Sequence, residues 1–331
     1  MIVARNRVEL REGLDALETE DGLETKRPSE AGDAIEVGEG IGSEGVRGSR
    51  GGSPRMSVAR PRAFVPTMGA LHAGHLALVK RARGWADAQR ASRGRPGVVV
   101  LSIFVNPTQF GPDEDFGAYP RPLETDLEKA REHGVDLVFA PESEAVVYPE
   151  GEPRITVDPG SMADRLCGAY RPGHFRGVLT VVAKLFGLVG PDRAVFGRKD
   201  FQQAVLIQRM VQDLELGVEI DVAPLIREED GLALSSRNAY LSSEERASAL
   251  GLFAGLSAAR ERFQRGEREA SELKEAVRSE AARHPLLDLE YVEVVDRRDL
   301  EPVDRAEAGS VVAVAGFCGE TRLIDNVVLG E

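Results

Sequence analysis

Val98–Val105 reads V-V-V-L-S-I-F-V, eight residues with almost no polar break. A strand with one face in water alternates apolar and polar side chains. A strand that is apolar throughout has both faces covered, which is the mark of a parallel sheet with helices above and below it. Elements of alternating type surround this run. Arg62-Ala-Phe-Val is a second short buried strand. Leu123–His133 reads as a helix, Leu137–Ala140 as a strand, and Arg193–Phe196 and Glu219–Ala223 as two more strands. Val178, Val181, Val182, Leu185 and Leu188 repeat at helical spacing, as do Ala204, Ile207, Val211 and Leu214. Met1–Leu17 reads as one more strand and helix. This βαβα rhythm predicts an α/β fold, a Rossmann-like doubly wound parallel sheet domain over residues 1–225.

From about Ile226 the rhythm changes. Ser242-x-x-Glu245 is a capping box opening a helix striped by Leu250, Phe253 and Leu256, and a second helix is expected near Ser271–Arg283. Three strand-like runs follow, Leu289–Val295, Val311–Ala315 and Thr321–Leu329. Together they predict a smaller C-terminal α+β lid domain over residues 226–331. The first domain is interrupted at about Glu18–Arg60 by a glycine-studded stretch with few aromatics, acidic first and arginine-bearing later. Too little apolar surface is on offer there to offset the entropy of ordering, so a disordered insert is expected.

The 331 residues carry 55 acidic and 42 basic side chains, a net charge of −13. That balance disfavours a nucleic-acid surface, which needs a clustered basic footprint. The two cysteines, Cys167 and Cys318, lack C-x-x-C spacing, so a disulfide framework or structural zinc is not indicated and a cytoplasmic location is expected. No apolar stretch is long enough for a membrane span.

The chemistry concentrates at strand ends. Directly after the Arg62–Val65 strand comes P-T-M-G-A-L-H-A-G-H, Pro66–His75. Helix N-terminal amides favour anions, and His72 and His75, three residues apart, lie on one side of the first turn. Each can donate a hydrogen bond to a phosphate oxygen that gains charge during attack on an α-phosphorus, while Gly74 lets a nucleotide approach the backbone. Phe196-Gly197-Arg198-Lys199-Asp200-Phe201-Gln202-Gln203 sits at another strand end. Lys199 can neutralise triphosphate oxygens, Gln203 can offer donor and acceptor to a small polar acid, and Asp200 reads either as a helix cap or as a ligand of a ribose hydroxyl. Asn106-Pro107-Thr108-Gln109-Phe110 closes the Val98–Val105 strand. Ligands of open α/β sheets sit at strand C-terminal ends, so the three stretches converge on one edge. Leu234-Ser235-Ser236-Arg237-Asn238 reads either as a mobile lid wrapping β- and γ-phosphates or as a serine-rich turn before the Ser242 cap. A P-loop motif is absent from the sequence.

These stretches closely resemble the pantothenate synthetase (pantoate–β-alanine ligase) family, within the wider H-x-G-H nucleotidyltransferases. The likeness runs through P-T-M-G-A-L-H-A-G-H-L, V-V-V-L-S-I-F-V-N-P-T-Q-F, Y-P-R, R-P-G-H-F-R-G-V, F-G-R-K-D-F-Q-Q and L-S-S-R-N-A-Y-L, in the family's order. It implies ATP-dependent condensation of pantoate with β-alanine to pantothenate through a pantoyl adenylate, with pyrophosphate and AMP released. It further implies that His72, His75, Lys199, Ser235, Ser236 and Arg237 serve ATP and its transition state, with Met68, Gly197, Asp200 and Leu234 at the nucleotide. By the same resemblance Gln109 and Gln203 hold pantoate, helped by Pro66 and Phe104 against its gem-dimethyl group. Asn106, Tyr119, Asp126, Arg171 and His174 match family positions near the active site. Mg2+ is expected to be held mainly by the ATP phosphates and water, and a homodimer is expected.

Departures are Leu234 where the family usually has Met, Cys167 where a polar or acidic residue is usual, the segment Glu18–Arg60, and about ten extra residues at Gln89–Gly97, expected as a longer loop. Two other readings remain at this stage. One is an H-x-G-H nucleotidyltransferase whose product keeps the nucleotide, such as a pantetheine-phosphate adenylyltransferase. The other is a catalytically idle nucleotide-binding protein.

Overall fold

The computed structural model describes residues 1–19, 59–112 and 114–331. In chain order the first part runs β1 (Ile2–Ala4), α1 (Arg7–Thr19), β2 (Arg62–Thr67), α2 (Ala73–Arg93), β3 (Val98–Ile103), α3 (Leu123–Glu132), β4 (Leu137–Phe139), the single turns α4 (Glu144–Val147) and α5 (Cys167–Tyr170), α6 (His174–Val189), β5 (Arg193–Gly197), α7 (Phe201–Asp213) and β6 (Glu219–Ala223). The six strands form one parallel sheet in the order β1-β4-β3-β2-β5-β6. From β2 the chain winds outward through β3 to β4, then returns to pair β5 against the other side of β2, with Ala63 opposite Arg193 and Phe64 opposite Ala194. The winding therefore reverses between β2 and β5, and a crevice opens beyond their C-terminal ends.

The unbroken apolar run of β3 is explained by the two layers that cover it. Val98 and Val100 join Phe64, Leu137 and Phe139 under α1 and α6. Val99 and Leu101 join Ala63, Val65 and Val138 under α2 and α3. Helix α2 corrects one expectation. The residues from Gln89 do not loop but continue the helix to Arg93, ending at Gly94 (φ +77°), whose N–H bonds Arg90 O at 3.0 Å. The segment A-D-A-Q-R-A-S-R has no glycine or proline and is mostly alanine, arginine and glutamine, so added residues propagate the helix at little cost.

Most of the expected insert lies outside the described residues, but both of its expected boundary residues belong to the folded frame. Glu18 is still in α1. Its carboxylate accepts the Arg60 backbone N–H at 2.6 Å and an Arg62 Nη2–H at 3.2 Å. The Arg60 guanidinium donates to Leu17 O and Pro96 O, each at 3.0 Å.

The remaining chain gives α8 (Ser243–Gln264), α9 (Ala270–Ala281) and an antiparallel sheet of β7 (Leu287–Val295), β8 (Val311–Cys318) and β9 (Thr321–Val328), in that order. The capping box is present, with Glu245 N–H to Ser242 Oγ at 3.3 Å and Ser242 N–H to Glu245 Oε2 at 2.9 Å. This small sheet is buried on both faces. Val292, Val294, Val312 and Val314 pack under α8 and α9. Tyr291, Val295, Ala313 and Ala315 join the same apolar cluster as Leu166, Phe175 and Val178 of the first part. A polar tie reinforces the junction. Asn326 Nδ2 donates to Arg198 O at 3.0 Å and Lys199 O at 3.1 Å. Within the C-terminal part, buried Asp325 takes a two-pronged contact from Arg227, at 2.6 and 2.9 Å, with the guanidinium 4.4 Å over the Phe253 ring. Among the described residues, no helix is long and apolar enough to cross a membrane.

Two outcomes are expected. Because residues 18, 60 and 62 already hold the flanks of the excursion together, excising residues 21–54 should shift the melting temperature by less than about 4 °C in a thermal scan. Asp325→Ala should cost about 3 kcal/mol in chemical denaturation, since it removes a buried carboxylate from a partly buried arginine that keeps only carbonyl and ring partners.

Candidate active site

Beyond β2 the backbone turns through two left-handed residues, Gly69 (φ +88°) and Ala70 (φ +51°). His72 then forms the N-cap of α2, with φ −123° and ψ 175°. The cap is made by imidazoles. His72 Nδ1 accepts the Gly74 N–H at 3.1 Å, and His75 Nδ1 accepts the His72 N–H at 3.4 Å, the reciprocal pattern of a capping box. The rings lie 4.1 Å apart, tilted by 36°. A nitrogen that accepts carries no proton, so these bonds assign both neutral rings to the Nε2–H tautomer. Burial, then the charge of Lys199, pulls the His72 pKa down to about 4. Burial, then the neighbouring His72, pulls that of His75 down to about 3. At neutral pH the pair is thus two uncharged donors. Gly74 has a nearer reason than ligand approach, since a Cβ there would stand 2.8 Å from the His72 ring.

The end of β5 supplies Gly197, and a single 3-10 turn holds Arg198, Lys199 and Asp200. The capping alternative for Asp200 is not realised: it occupies the N-cap of α7 but makes no side-chain cap bond, and its carboxylate lies 3.7 Å from Lys199 Nζ. Removal from water raises its pKa, but Lys199 and then Arg237 outweigh that, leaving the carboxyl below its ordinary value. One turn into α7, Gln203 lines the crevice. Its neighbour Gln202 is buried and donates to Met162 O and Arg165 O at 3.1 and 2.8 Å.

The turn after β3 is locked by Asn106. Its Nδ2 donates to Gln109 Oε1 and to Gly177 O, each at 3.2 Å, and its Oδ1 accepts from Tyr148 Oη at 2.9 Å. Gly177 permits that close crossing, for a Cβ there would meet Thr108 O at 2.1 Å. Gln109 is thereby aimed at Met68, Nε2 to Sδ 3.0 Å. His174 takes the opposite tautomer. Its Nδ1–H donates to Gln109 O at 2.8 Å, leaving Nε2 to accept from Arg171 at 3.0 Å. Burial, then Arg171, lowers the His174 pKa to about 4.

The L-S-S-R-N stretch closes the crevice from the other side. Ser235 Oγ accepts the Arg237 N–H at 3.2 Å, and Ser236 Oγ lies 3.4 Å from Tyr119 Oη. Two acidic residues missed by sequence reasoning stand here. Asp115 engages Arg237 at 2.8 and 3.1 Å, and Glu114 engages Arg171 at 2.5 and 2.7 Å. Nothing marks them in so acidic a chain.

All the candidate residues line one cavity of about 230 Å³: Pro66, Met68, His72, His75, Phe104, Gln109, Gly197, Lys199, Asp200, Gln203, Leu234, Ser235, Ser236 and Arg237. Asn106, Tyr119, Arg171 and His174 line it too, while Asp126 stands behind the wall. Val178, Val181, Val182 and Leu185 of α6, whose periodicity reads only as core, form an apolar side. A second cavity of about 340 Å³ adjoins it through Arg171, His174, Lys199, Asp200, Gln203, Ser235 and Arg237. It reaches Cys167, whose Sγ lies 3.2 Å from Tyr291 Oη and within 3.8 Å of the Arg322 guanidinium.

Known proteins carry the same pattern. The family model for pantoate-beta-alanine ligase matches residues 52–328. Pantothenate synthetase of Fervidobacterium nodosum is 50% identical over 266 residues, covering 80% of this chain and 90% of that protein. The bifunctional pantoate ligase/cytidylate kinase of Thermosynechococcus vestitus is 51% identical over 275 residues, 82% of this chain, which spans 52% of that longer protein. Among solved structures, pantothenate synthetase from Thermus thermophilus superposes with a TM-score of 0.74 at 47% identity, over 81% of this chain and 93% of that one. Pantoate-beta-alanine ligase from Francisella tularensis, complexed with beta-gamma ATP and beta-alanine, gives 0.67 at 29% identity over 99% and 97%.

The three depressed imidazoles set a sign for pH. His72, His75 and His174 are neutral when folded, whereas unfolded histidines protonate near 6.5. The unfolded chain therefore binds more protons, and stability falls as pH drops from about 6.5 towards 4. Calorimetry at pH 5.5 in buffers of different ionisation enthalpy should show proton uptake on unfolding, reduced in His174→Gln.

Proposed function

The chain belongs to the pantoate-beta-alanine ligase family and is a ligase that condenses pantoate with β-alanine using ATP; we propose that the crevice at the β2/β5 reversal performs both half-reactions. In the first, a pantoate carboxylate oxygen attacks the α-phosphorus, a P–O bond forms, and the bond to the β-phosphate breaks to release pyrophosphate. In the second, the β-alanine amine attacks the acyl carbon of the pantoyl adenylate. The C–O bond to AMP breaks, an amide forms, and the amine loses a proton.

The observation that carries this reading is the pair of imidazoles whose Nδ1 atoms accept backbone N–H groups, leaving Nε2 to donate, in one cavity with Lys199. Neutral donors fixed before the substrate arrives stabilise charge that develops on the α-phosphate oxygens without reorganising. Lys199 meets the same phosphate, and Ser235, Ser236 and Arg237 hold the β- and γ-phosphates. For Arg237 to do so, its contact with Asp115 must yield to the incoming polyanion. Met68, Gly197, Asp200 and Leu234 line the nucleotide. Gln109 and Gln203 fix the pantoate polar groups, and Pro66 and Phe104 cover its methyl groups. Mg2+ would be held mainly by the triphosphate and water, where it would offset charge. That suits a cavity where Asp200 already faces Lys199, with Glu114 and Asp115 of the adjoining cavity paired to Arg171 and Arg237. Residues 226–331 contribute the lid segment, and the enclosed site shields the mixed anhydride from water.

Pyrophosphate release from Mg-ATP should require pantoate, and AMP should appear only when β-alanine is added. His75→Ala and Lys199→Ala should each slow pyrophosphate release by about a hundredfold or more, the usual loss for one charge-stabilising group. Near-normal turnover in both variants would overturn the site. A product that keeps its nucleotide would favour a nucleotidyltransferase.

A further inference from the structure

The His72–His75 pair stands on a turn that its own sequence stabilises only in part, through the Gly69 N–H donated to Thr67 Oγ1 at 3.2 Å. Ala70 sits at φ +51°, a region that side chains with a Cβ avoid, one residue after left-handed Gly69. The peptide groups of Ala70 and Leu71 find their partners on α3. Asp126, 1% exposed, accepts the Ala70 N–H on Oδ2 and the Leu71 N–H on Oδ1, each at 2.7 Å. One helical turn on, Lys129 Nζ donates to Leu71 O at 2.6 Å. The two side chains, three residues apart on one helical face, thus grip the same short backbone through both its donors and an acceptor. The fit is close: a Cβ on Gly69 would stand 3.0 Å from Asp126 Oδ2.

We propose that Asp126, assisted by Lys129, is a positioning residue for catalysis, holding the Gly69–Leu71 turn so that His72 caps α2 and both Nε2–H groups face the cavity. Asp126 itself does not line the cavity. Its influence runs through backbone: release of the turn moves the His72 N–H that His75 Nδ1 accepts, and with it the tautomer and aim of both rings. A displacement of about 1 Å in such donors is enough to cost around a hundredfold in rate. The kinetic arm of the test rests on the reading of His72 and His75 as phosphate donors, whereas the spectroscopic arm does not.

In Asp126→Asn the side chain keeps its shape but offers one oxygen to two amides and turns an NH2 towards the other. Its kcat for pyrophosphate release should fall by about ten- to a hundredfold, with KM for ATP and pantoate changed by less than about threefold. In 15N spectra of ring-labelled full-length protein, the His72 and His75 Nε2–H tautomer signals should broaden or split. Lys129→Met, which removes one tie and no acceptor, should show the same changes more weakly, and Asp126→Glu should recover part of the rate. Unchanged ring signals in Asp126→Asn, whether or not the rate falls, would overturn the proposal, as would an unchanged rate. If Asp126→Asn does not fold, Lys129→Met decides by the same two readouts. If the wild type releases no pyrophosphate, the proposed reaction fails, and the ring signals still decide the positioning role.

Discussion

Everything in the crevice depends on how one helix begins. The first amides of α2 need acceptors, and the chain meets that need with ring nitrogens instead of the usual hydroxyl or carboxylate. The choice fixes three properties at once. The nitrogen that caps cannot carry the proton, so the other nitrogen must. The ring sits at the positive end of a helix of 21 residues, where an imidazolium is disfavoured. And the two rings lie against each other, so a charge on one opposes a charge on the other. Local folding and the preparation of two neutral donors are here the same set of hydrogen bonds.

The sheet and its helices were legible because burial writes itself into composition. Residues Val98–Leu101 must be apolar on both faces, and Ser242 with Glu245 spells out a cap. The candidate cavity was legible because its parts sit at strand ends, and a doubly wound sheet brings strand ends together. What escaped was decided by tertiary neighbours. Glu114 and Asp115 are ordinary acids until Arg171 and Arg237 arrive from distant segments. The residues from Gln89 to Arg93 gave no breaker before Gly94, and helix propagation won over the loop expected there. Asp126 is one helical acid among many in the sequence, and only the fold shows two backbone amides pointing at it.

The C-terminal sheet complicates the picture of a lid. Its outer layer is its own pair of helices, but its inner layer is part of the main core, and Asn326 holds the carbonyls of Arg198 and Lys199. The backbone that presents Lys199 is therefore fixed from both parts of the chain. The freedom that ligand entry requires falls on side-chain contacts at the rim, where Arg237 and Arg171 can exchange Asp115 and Glu114 for other anions.

The contacts of Glu18 with Arg60 and Arg62 carry a separate consequence. They make the junction between α1 and β2 a closed gate, so whatever chain lies between is hung from two adjacent points on the rim of the sheet. For a flexible segment with its ends held together, each doubling of length costs only about 0.6 kcal/mol. The junction is a natural port for foreign sequence: a reporter domain, an affinity tag or new chain termini placed there would leave the sheet order and the crevice undisturbed.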